Sequence, residues 1–242
     1  MDNIVLDIRN LKKSFGSNII LNGINLKVNN GDTVTMLGKS GTGKSVILQN
    51  IIGLIEPDEG DILVLGKNIP KLKYKELRDI RLKIGFLFQS GALYDSMSVK
   101  ENLEFPLTRH DKLSETEANE KIKTALDEVG LYEALDKMPS ELSGGMRKRI
   151  ALARTLILQP EIMLYDEPTT GLDPITSREI STLILKMQEK FKMSSLIVTH
   201  DMECAKLTSN KIVILKDGKI AAEGSYEEIS KTKDEFIKSF FE

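Results

Sequence analysis

Short apolar runs alternate along this chain with stretches of helical spacing. Ile4-Val5-Leu6-Asp7-Ile8 and Ile24 to Val28 read as strands, with Leu11 to Gly16 as the turn after the first and Asn22-Gly23 leading into the second. Asp32 to Leu37 alternates and is rich in β-branched residues, Val46 to Ile52 has helical length and spacing, and Asp61 to Gly66 forms a further strand after the turn Glu56 to Gly60. Ile84-Gly85-Phe86-Leu87-Phe88 is short and apolar, which predicts a buried strand ending at Gln89. From about 90 to 160 the periodicity is helical. Ser114-Glu115-Thr116-Glu117 is a capping box opening a helix through Ile122, Leu126 and Val129, stopped near Gly130. A second helix runs from Gly144-Gly145 to Leu158 and ends before Pro160. Strands resume at Ile162 to Tyr165, Ser195 to Val198 and Ile212 to Leu215, with a helix from Ser177 to Phe191 between the first two. The last stretch, Tyr226 to Glu242, reads as a C-terminal helix whose Ile229, Phe236, Ile237, Phe240 and Phe241 pack on the protein's own core or, alternatively, on a partner.

Strand–helix–strand alternation implies right-handed crossovers and a mostly parallel sheet, with chemistry at the C-terminal ends of its strands. The expected organisation is one α/β unit over 1–242. Residues 1–89 form a β flank and the phosphate-loop half of the core, 90–160 an inserted helical subdomain, 161–225 the second half of the core, and 226–242 the C-terminal helix. With 242 residues and 40% hydrophobic content, the chain can bury one large core. A formal net charge of −2 makes no global case for a nucleic-acid partner. Cys204 is the only cysteine, which excludes an internal disulfide framework and suits a small apolar packing role. No run of eighteen apolar residues occurs, and Met1-Asp2-Asn3 lacks the opening of a signal peptide, so a soluble protein is expected.

Gly38-Lys39-Ser40-Gly41-Thr42-Gly43-Lys44-Ser45 fits the G-x-x-x-x-G-K-[S/T] phosphate-binding pattern, between a strand and a helix. Gly38, Gly41 and Gly43 let the backbone curl so that successive N–H groups converge on an anion, and the helix adds its positive N-terminal end. Lys44 reaches the β- and γ-phosphates of a nucleoside triphosphate, and the Ser45 hydroxyl ligates Mg²⁺. Asp166 and Glu167 end the apolar strand from Ile162. A carboxylate beside a phosphate loop needs a cation, so Asp166 is assigned to Mg²⁺, directly or through water. Glu167 is the candidate general base for a water aligned on the γ-phosphate. Leu142-Ser143-Gly144-Gly145-Met146 opens a helix and offers a second anion site, for which a plain helix cap is the simpler reading when the segment is taken alone. His110 has no such context and is expected to be solvated.

Together the phosphate loop, LSGGM, Leu164 to Pro168, Gly171-Leu172-Asp173-Pro174 and His200 after a strand resemble the ATP-binding cassette (ABC) ATPases over nearly the whole chain. The resemblance implies a P-loop NTPase fold with a RecA-like core, an antiparallel β flank and an inserted helical subdomain. It implies that Gln89 contacts Mg²⁺ or the attacking water and senses a membrane partner, that His200 hydrogen-bonds the γ-phosphate, and that Phe15 stacks on adenine, where tyrosine is commoner. It also implies that Ser143, Gly144 and Gly145 bind the ATP of a second copy in a head-to-tail pair, with Asp173 in the loop crossing that interface. Met146 stands where glutamine is most frequent, beside the backbone nest.

The run Phe88 to Val99, continuing through Glu101-Asn102-Leu103 to Pro106-Leu107, is similar to the Mla/Mkl-type ATPases that serve MCE-domain lipid transporters. That resemblance implies two copies on two copies of an integral membrane permease, at the cytoplasmic face of the inner membrane, with an MCE-domain protein as a further partner and phospholipid as cargo. An importer ATPase for amino acids or another small polar solute is the alternative. Two further classes fit less well. A soluble relative acting on DNA or ribosomes carries a long insertion or two cassettes, and a non-hydrolysing regulatory module lacks one of Lys44, Asp166, Glu167 or His200. Ala92-Leu93-Tyr94 is either a seat for a permease helix or packing for the helical subdomain.

Overall fold

The computed structural model describes residues 4–110 and 113–241, with His110 as backbone only. The expectation for the His110 side chain, and the reading of Met1 to Asn3, therefore lie outside the described residues. Two sheets carry the molecule. The first contains β1 (Ile4–Phe15), β2 (Asn18–Asn29), β4 (Glu59–Val64) and β5 (Lys67–Asn68), antiparallel in the order β2-β1-β4-β5. The second contains β3 (Thr33–Leu37), β6 (Ile84–Leu87), β7 (Ile162–Asp166), β8 (Ser194–Thr199), β9 (Lys211–Lys216) and β10 (Lys219–Gly224), in the order β10-β9-β3-β8-β7-β6. Its pairings are parallel except for β10 on β9. Every residue of β3, β7 and β8 is buried, which explains their continuous apolar runs: both faces of these strands are covered.

β1 corrects the reading of Leu11 to Gly16 as a turn. The strand continues to Phe15 through register shifts against β2, with Asn10 at φ 48°. Lys12 and Lys13 hid it, because on this half-exposed segment they pair with Glu59 and Asp58 instead of entering a core. The extension places Phe15 at the end of the strand.

Helices α1 (Lys44–Ile51), α2 (Tyr74–Arg81), α3 (Val99–His110), α4 (Glu115–Glu128), α5 (Gly144–Leu156), α6 (Pro174–Phe191), α7 (Met202–Thr208), α8 (Tyr226–Ser230) and α9 (Glu235–Lys238) complete the described fold. α6 begins three residues before the expected Ser177, because the Asp173 carboxylate caps it and Pro174 occupies its first turn. The single C-terminal helix is replaced by two short ones: Ser225 caps α8 and Asp234 caps α9, restarting the chain after a break. Three helices escaped the pattern for different reasons. α2 buries only Ile80, α3 contains Pro106, and α7 has seven residues.

Four buried clusters follow this layout. One joins the flank sheet and α1 to the central sheet through residues such as Leu21, Ile24, Ile47 and Val213. The helices of the inserted segment share a core of their own around Leu103, Ile122, Leu126 and Ile150. α5 and α6 cover another part of the central sheet through Leu152, Ile180 and Met187. Ile229 and Ile237 are 5% exposed and close the last cluster against Leu37, Ile212 and Ile214, so the C-terminal segment packs on its own chain. Leu93 packs against both the helical-subdomain and α5–α6 clusters, the second of its two readings, while Tyr94 stays exposed.

Candidate nucleotide site

β3 delivers the chain to Gly38, and α1 begins at Lys44, so the phosphate loop joins strand to helix as its sequence requires. Gly41 and Gly43 have φ of 78° and 97°. At Gly43 a Cβ would also lie 2.7 Å from Ile20 Cγ2, so conformation and space both demand glycine. Lys44 is 5% exposed. Its Nζ donates to the carbonyls of Gly38 at 2.7 Å and Lys39 at 3.1 Å and lies 3.3 Å from Glu167 Oε1. The ammonium is thereby fixed over the loop from which it springs. The Thr42 hydroxyl donates to the Lys39 carbonyl at 2.8 Å and braces the turn.

Asp166 ends β7, and its Oδ1 accepts from the Ser45 hydroxyl at 2.8 Å. Burial, with the charge of neighbouring Glu167, raises the pKa of this carboxyl more than Ser45, Lys44 and Lys148 lower it. A hydroxyl and a buried, under-compensated carboxylate in contact form a hard-oxygen donor pair suited to Mg²⁺. Among the described residues no group of three or more His, Cys, Asp or Glu side chains could hold a metal, so Ser45 and Asp166 would supply such an ion with only part of its ligands.

Glu167 departs from the strand at φ 48°, a left-handed conformation that costs a non-glycine residue on the order of 1 kcal/mol. This turn separates its side chain from that of Asp166. Its Oε2 accepts from His200 Nδ1 at 2.8 Å, the Thr170 hydroxyl at 3.0 Å and the Thr199 hydroxyl at 3.3 Å. Burial pushes the carboxyl up, but Lys44, His200 and Thr170 together outweigh it and hold Glu167 below the usual carboxylate range. Because a carboxylate only accepts, the contact fixes a proton on His200 Nδ1 and leaves Nε2 for another partner.

A cleft of about 580 Å³ brings together Phe15, Ser40, Gly41, Gly43, Lys44, Ser45, Gln89, Glu167 and His200. Phe15 is 50% exposed, with Lys13 Nζ 5.5 Å from its ring centroid. Gly38, Thr42 and Asp166 do not line the cleft but hold Lys44, Lys39 and Ser45, which do. Ser143, Gly144, Gly145 and Asp173 do not line it. Ser143 Oγ accepts from the Met146 N–H at 3.3 Å as the cap of α5. A Cβ at Gly145 would lie 2.6 Å from Thr176 Cγ2, so the two helix starts at α5 and α6 abut there. Asp173 spends its carboxylate on the Ile175 and Thr176 amides at 3.1 and 3.0 Å.

Sequence reasoning missed several residues. Ser239 and Phe240 wall the cleft, and Phe236 of α9 lies beneath Lys39 and Lys216, with Nζ 5.6 and 4.5 Å from its ring centroid. The aromatic residues of the C-terminal stretch were the available signal. Lys148 is buried behind the cleft, within a Met146-Arg147-Lys148-Arg149 run that looks like a solvated face.

A profile of the family described as "ABC transporter" matches residues 21–170. The chain is 37% identical over 240 residues to the intermembrane phospholipid transport system ATP-binding protein MlaF of Haemophilus influenzae, covering 99% of this chain and 91% of that protein. It is 39% identical over 237 residues to the probable ribonucleotide transport ATP-binding protein mkl of Mycobacterium leprae, covering 98% and 68%. Among solved structures, a dimeric ATP-binding cassette in a post-hydrolysis state bound to ADP and Pi superposes with a TM-score of 0.83 at 34% identity, over 91% of this chain and 98% of that one. Another, cbiO1 from Clostridium perfringens, part of the ABC transporter complex cbiONQ, gives 0.87 at 30% identity, over 99% and 96%. Fold and site thus define an ATP-hydrolysing P-loop cassette. The chain belongs to the ABC transporter family, as an ATP-binding subunit.

Proposed function

We propose that this ATPase drives a phospholipid transporter of the Mla/MCE type. In this reading two copies close head to tail on two ATP molecules at the cytoplasmic face of the inner membrane, each pair serving two permease subunits. An MCE-domain protein would be the further partner. The observation that carries the dimeric mechanism is the division of residues. Lys44, Ser45, Glu167 and His200 converge on one cleft, whereas Ser143 and Gly144 are exposed at a helix start elsewhere, with Gly145 half-buried beside them. The second anion site is therefore free to meet a partner's nucleotide.

Within one cleft the roles follow from contacts. Lys44 would exchange its loop carbonyls and Glu167 for the β- and γ-phosphates. Ser45 and Asp166, with Gln89 at the cleft wall, would hold Mg²⁺, which when bound neutralises charge developing on the phosphates. Glu167, held ionised, would accept the proton of the attacking water, and His200 Nε2 would meet the γ-phosphate. Phe15 would stack on adenine. Hydrolysis removes the γ-phosphate contacts from both sides, and the pair reopens.

The substrate class rests on relatedness. MlaF is named for phospholipid transport, and a chloroplast relative from Arabidopsis thaliana, 39% identical over 253 residues and covering 98% of this chain and 73% of that protein, is named TRIGALACTOSYLDIACYLGLYCEROL 3, after a lipid. The mkl name points instead to ribonucleotides, and an amino-acid or small-solute importer remains the competing class. Copurification with a permease and an MCE-domain protein, followed by ATP-dependent transfer of labelled phospholipid between vesicles, would support the lipid reading. A soluble solute-binding protein in that complex would overturn it. The exposed Tyr94 is the better probe of permease docking than Leu93, which packs two cores.

A further inference from the structure

Helix α5 sends two cations, the buried Lys148 and the half-buried Arg154, to the loop that follows β6. Lys148, 6% exposed, donates from Nζ to the Gln89 carbonyl and, at 3.2 Å, to the Glu167 carbonyl. Arg154, on the same helix, donates to the Gly91 carbonyl at 3.1 Å and to the Ala92 carbonyl at 2.9 Å. The guanidinium holds the loop and reaches Asn102 Oδ1 of α3 at 3.5 Å, while the ammonium holds the loop and the residue after β7 together.

A buried ammonium is costly to desolvate, and an apolar side chain of similar length would fill the same space without that cost. Here the charge sits between two carbonyls whose own side chains, Gln89 and Glu167, both wall the cleft. The Glu167 carbonyl belongs to a left-handed turn that persists only if its surroundings over-determine it. The amide of that residue is fixed on the Val198 carbonyl at 2.9 Å. Lys148 fixes the other end of the turn.

We infer that Lys148 is a positioning residue: its ammonium ties the backbone of the Gln89 loop to that of Glu167, so that a displacement of residues 89–92 moves the carboxylate facing the attacked phosphate. This rests on the roles proposed above for Gln89 and Glu167. Because α5 also begins at Ser143, one rigid helix then links the exposed anion site, the loop and the base. Motion at any of the three is felt at the other two.

The test compares kcat and KM for ATP in Lys148→Met, Lys148→Gln and Arg154→Met, each checked by thermal melt. Lys148→Met keeps the volume and removes the donor, and its kcat should fall by about tenfold or more while KM stays within about twofold. Lys148→Gln, one bond shorter, reaches one carbonyl at most, and its kcat should lie between Lys148→Met and the parent with KM again unchanged. Arg154→Met loosens residues 91–92 while Lys148 still ties Gln89 to Glu167, so its kcat should fall less than that of Lys148→Met. A parental kcat in Lys148→Met, a raised KM at unchanged kcat, or an equal loss in Arg154→Met would each overturn the tie. Should Lys148→Met fail to fold, Lys148→Gln decides on the same criterion, parental kcat overturning the tie and a reduced kcat supporting it. Glu167→Gln separates the two levels: if it hydrolyses ATP normally, the base assignment itself falls, whereas an inactive Glu167→Gln beside a parental Lys148→Met sinks the tie alone.

Discussion

Lys44 and Glu167 face each other at 3.3 Å, and Lys44 is the largest charge influence on the Glu167 carboxylate. Substituting Lys44 by alanine removes the point charge for the phosphates, and ATP affinity should drop by about tenfold or more, read by titration with a fluorescent nucleotide. Unchanged affinity would contradict its assignment. Glu167→Gln keeps the shape of the side chain and its contact to Thr170 but loses proton-accepting power, so ATP should bind while turnover falls by about 10²-fold or more. A phosphate-release assay beside the same titration separates binding from chemistry. At this scale the site was largely legible, because Gly38 to Ser45, Asp166, Glu167 and His200 are tied to strand ends by motif. The left-handed turn at Glu167 and the ammonium of Lys148 were not legible. No residue type announces such a turn when the residue is glutamate, and burial of a lysine within a charged run depends on what packs over it.

The C-terminal element changes most when sequence and structure are set side by side. Helical spacing identified the aromatic residues of 226–242 and left their face to the chain's own core or a partner; the structure packs it on the chain, and Asp234 restarts the backbone and turns α9 toward the phosphate loop. Phe236 holds Lys39 and Lys216 over its ring and meets Phe240 edge-on with centroids 5.4 Å apart. Phe240 shares the cleft with Phe15 and Ile20. Loss of an aromatic wall costs about 1 kcal/mol in contact energy, so Phe240→Ala should weaken ATP binding by about fivefold. Inhibition by inorganic tripolyphosphate, which has no nucleoside, should be unaffected. Equal effects on both ligands would mean that the segment acts on the phosphate loop through Lys39 instead. Period alone could not place this contact, since it reports which face is apolar and nothing about what that face meets. The same limit applies to β1, where paired lysines concealed a strand, and to α3, where Pro106 did.

Across the whole molecule the decisive feature is that the cleft and the LSGGM helix start are separate on one chain, and the proposed head-to-tail pair would join them between chains. Ser40 lines the cleft and Ser143 is exposed at the start of α5, so cysteines at both positions would face each other only across such a pair. The native Cys204 does not interfere: it is fully buried in α7, and burial pushes its thiol up to about 12, which keeps it protonated and inert under assay conditions. The parent chain should therefore resist thiol reagents until it unfolds. In the Glu167→Gln background, Ser40→Cys with Ser143→Cys should give a disulfide-linked dimer under mild oxidation when ATP is present. Without nucleotide, or with Lys44→Ala added, the chain should run as a monomer on a non-reducing gel. Either single cysteine variant should remain uncrosslinked, because the partner position would hold serine. A nucleotide-independent dimer would show a different interface, and an ATP-bound chain that never crosslinks would place the partner's phosphate-binding surface elsewhere than Ser143. The ATP dependence is the discriminating part, since only phosphates held from both sides give the two chains a reason to close.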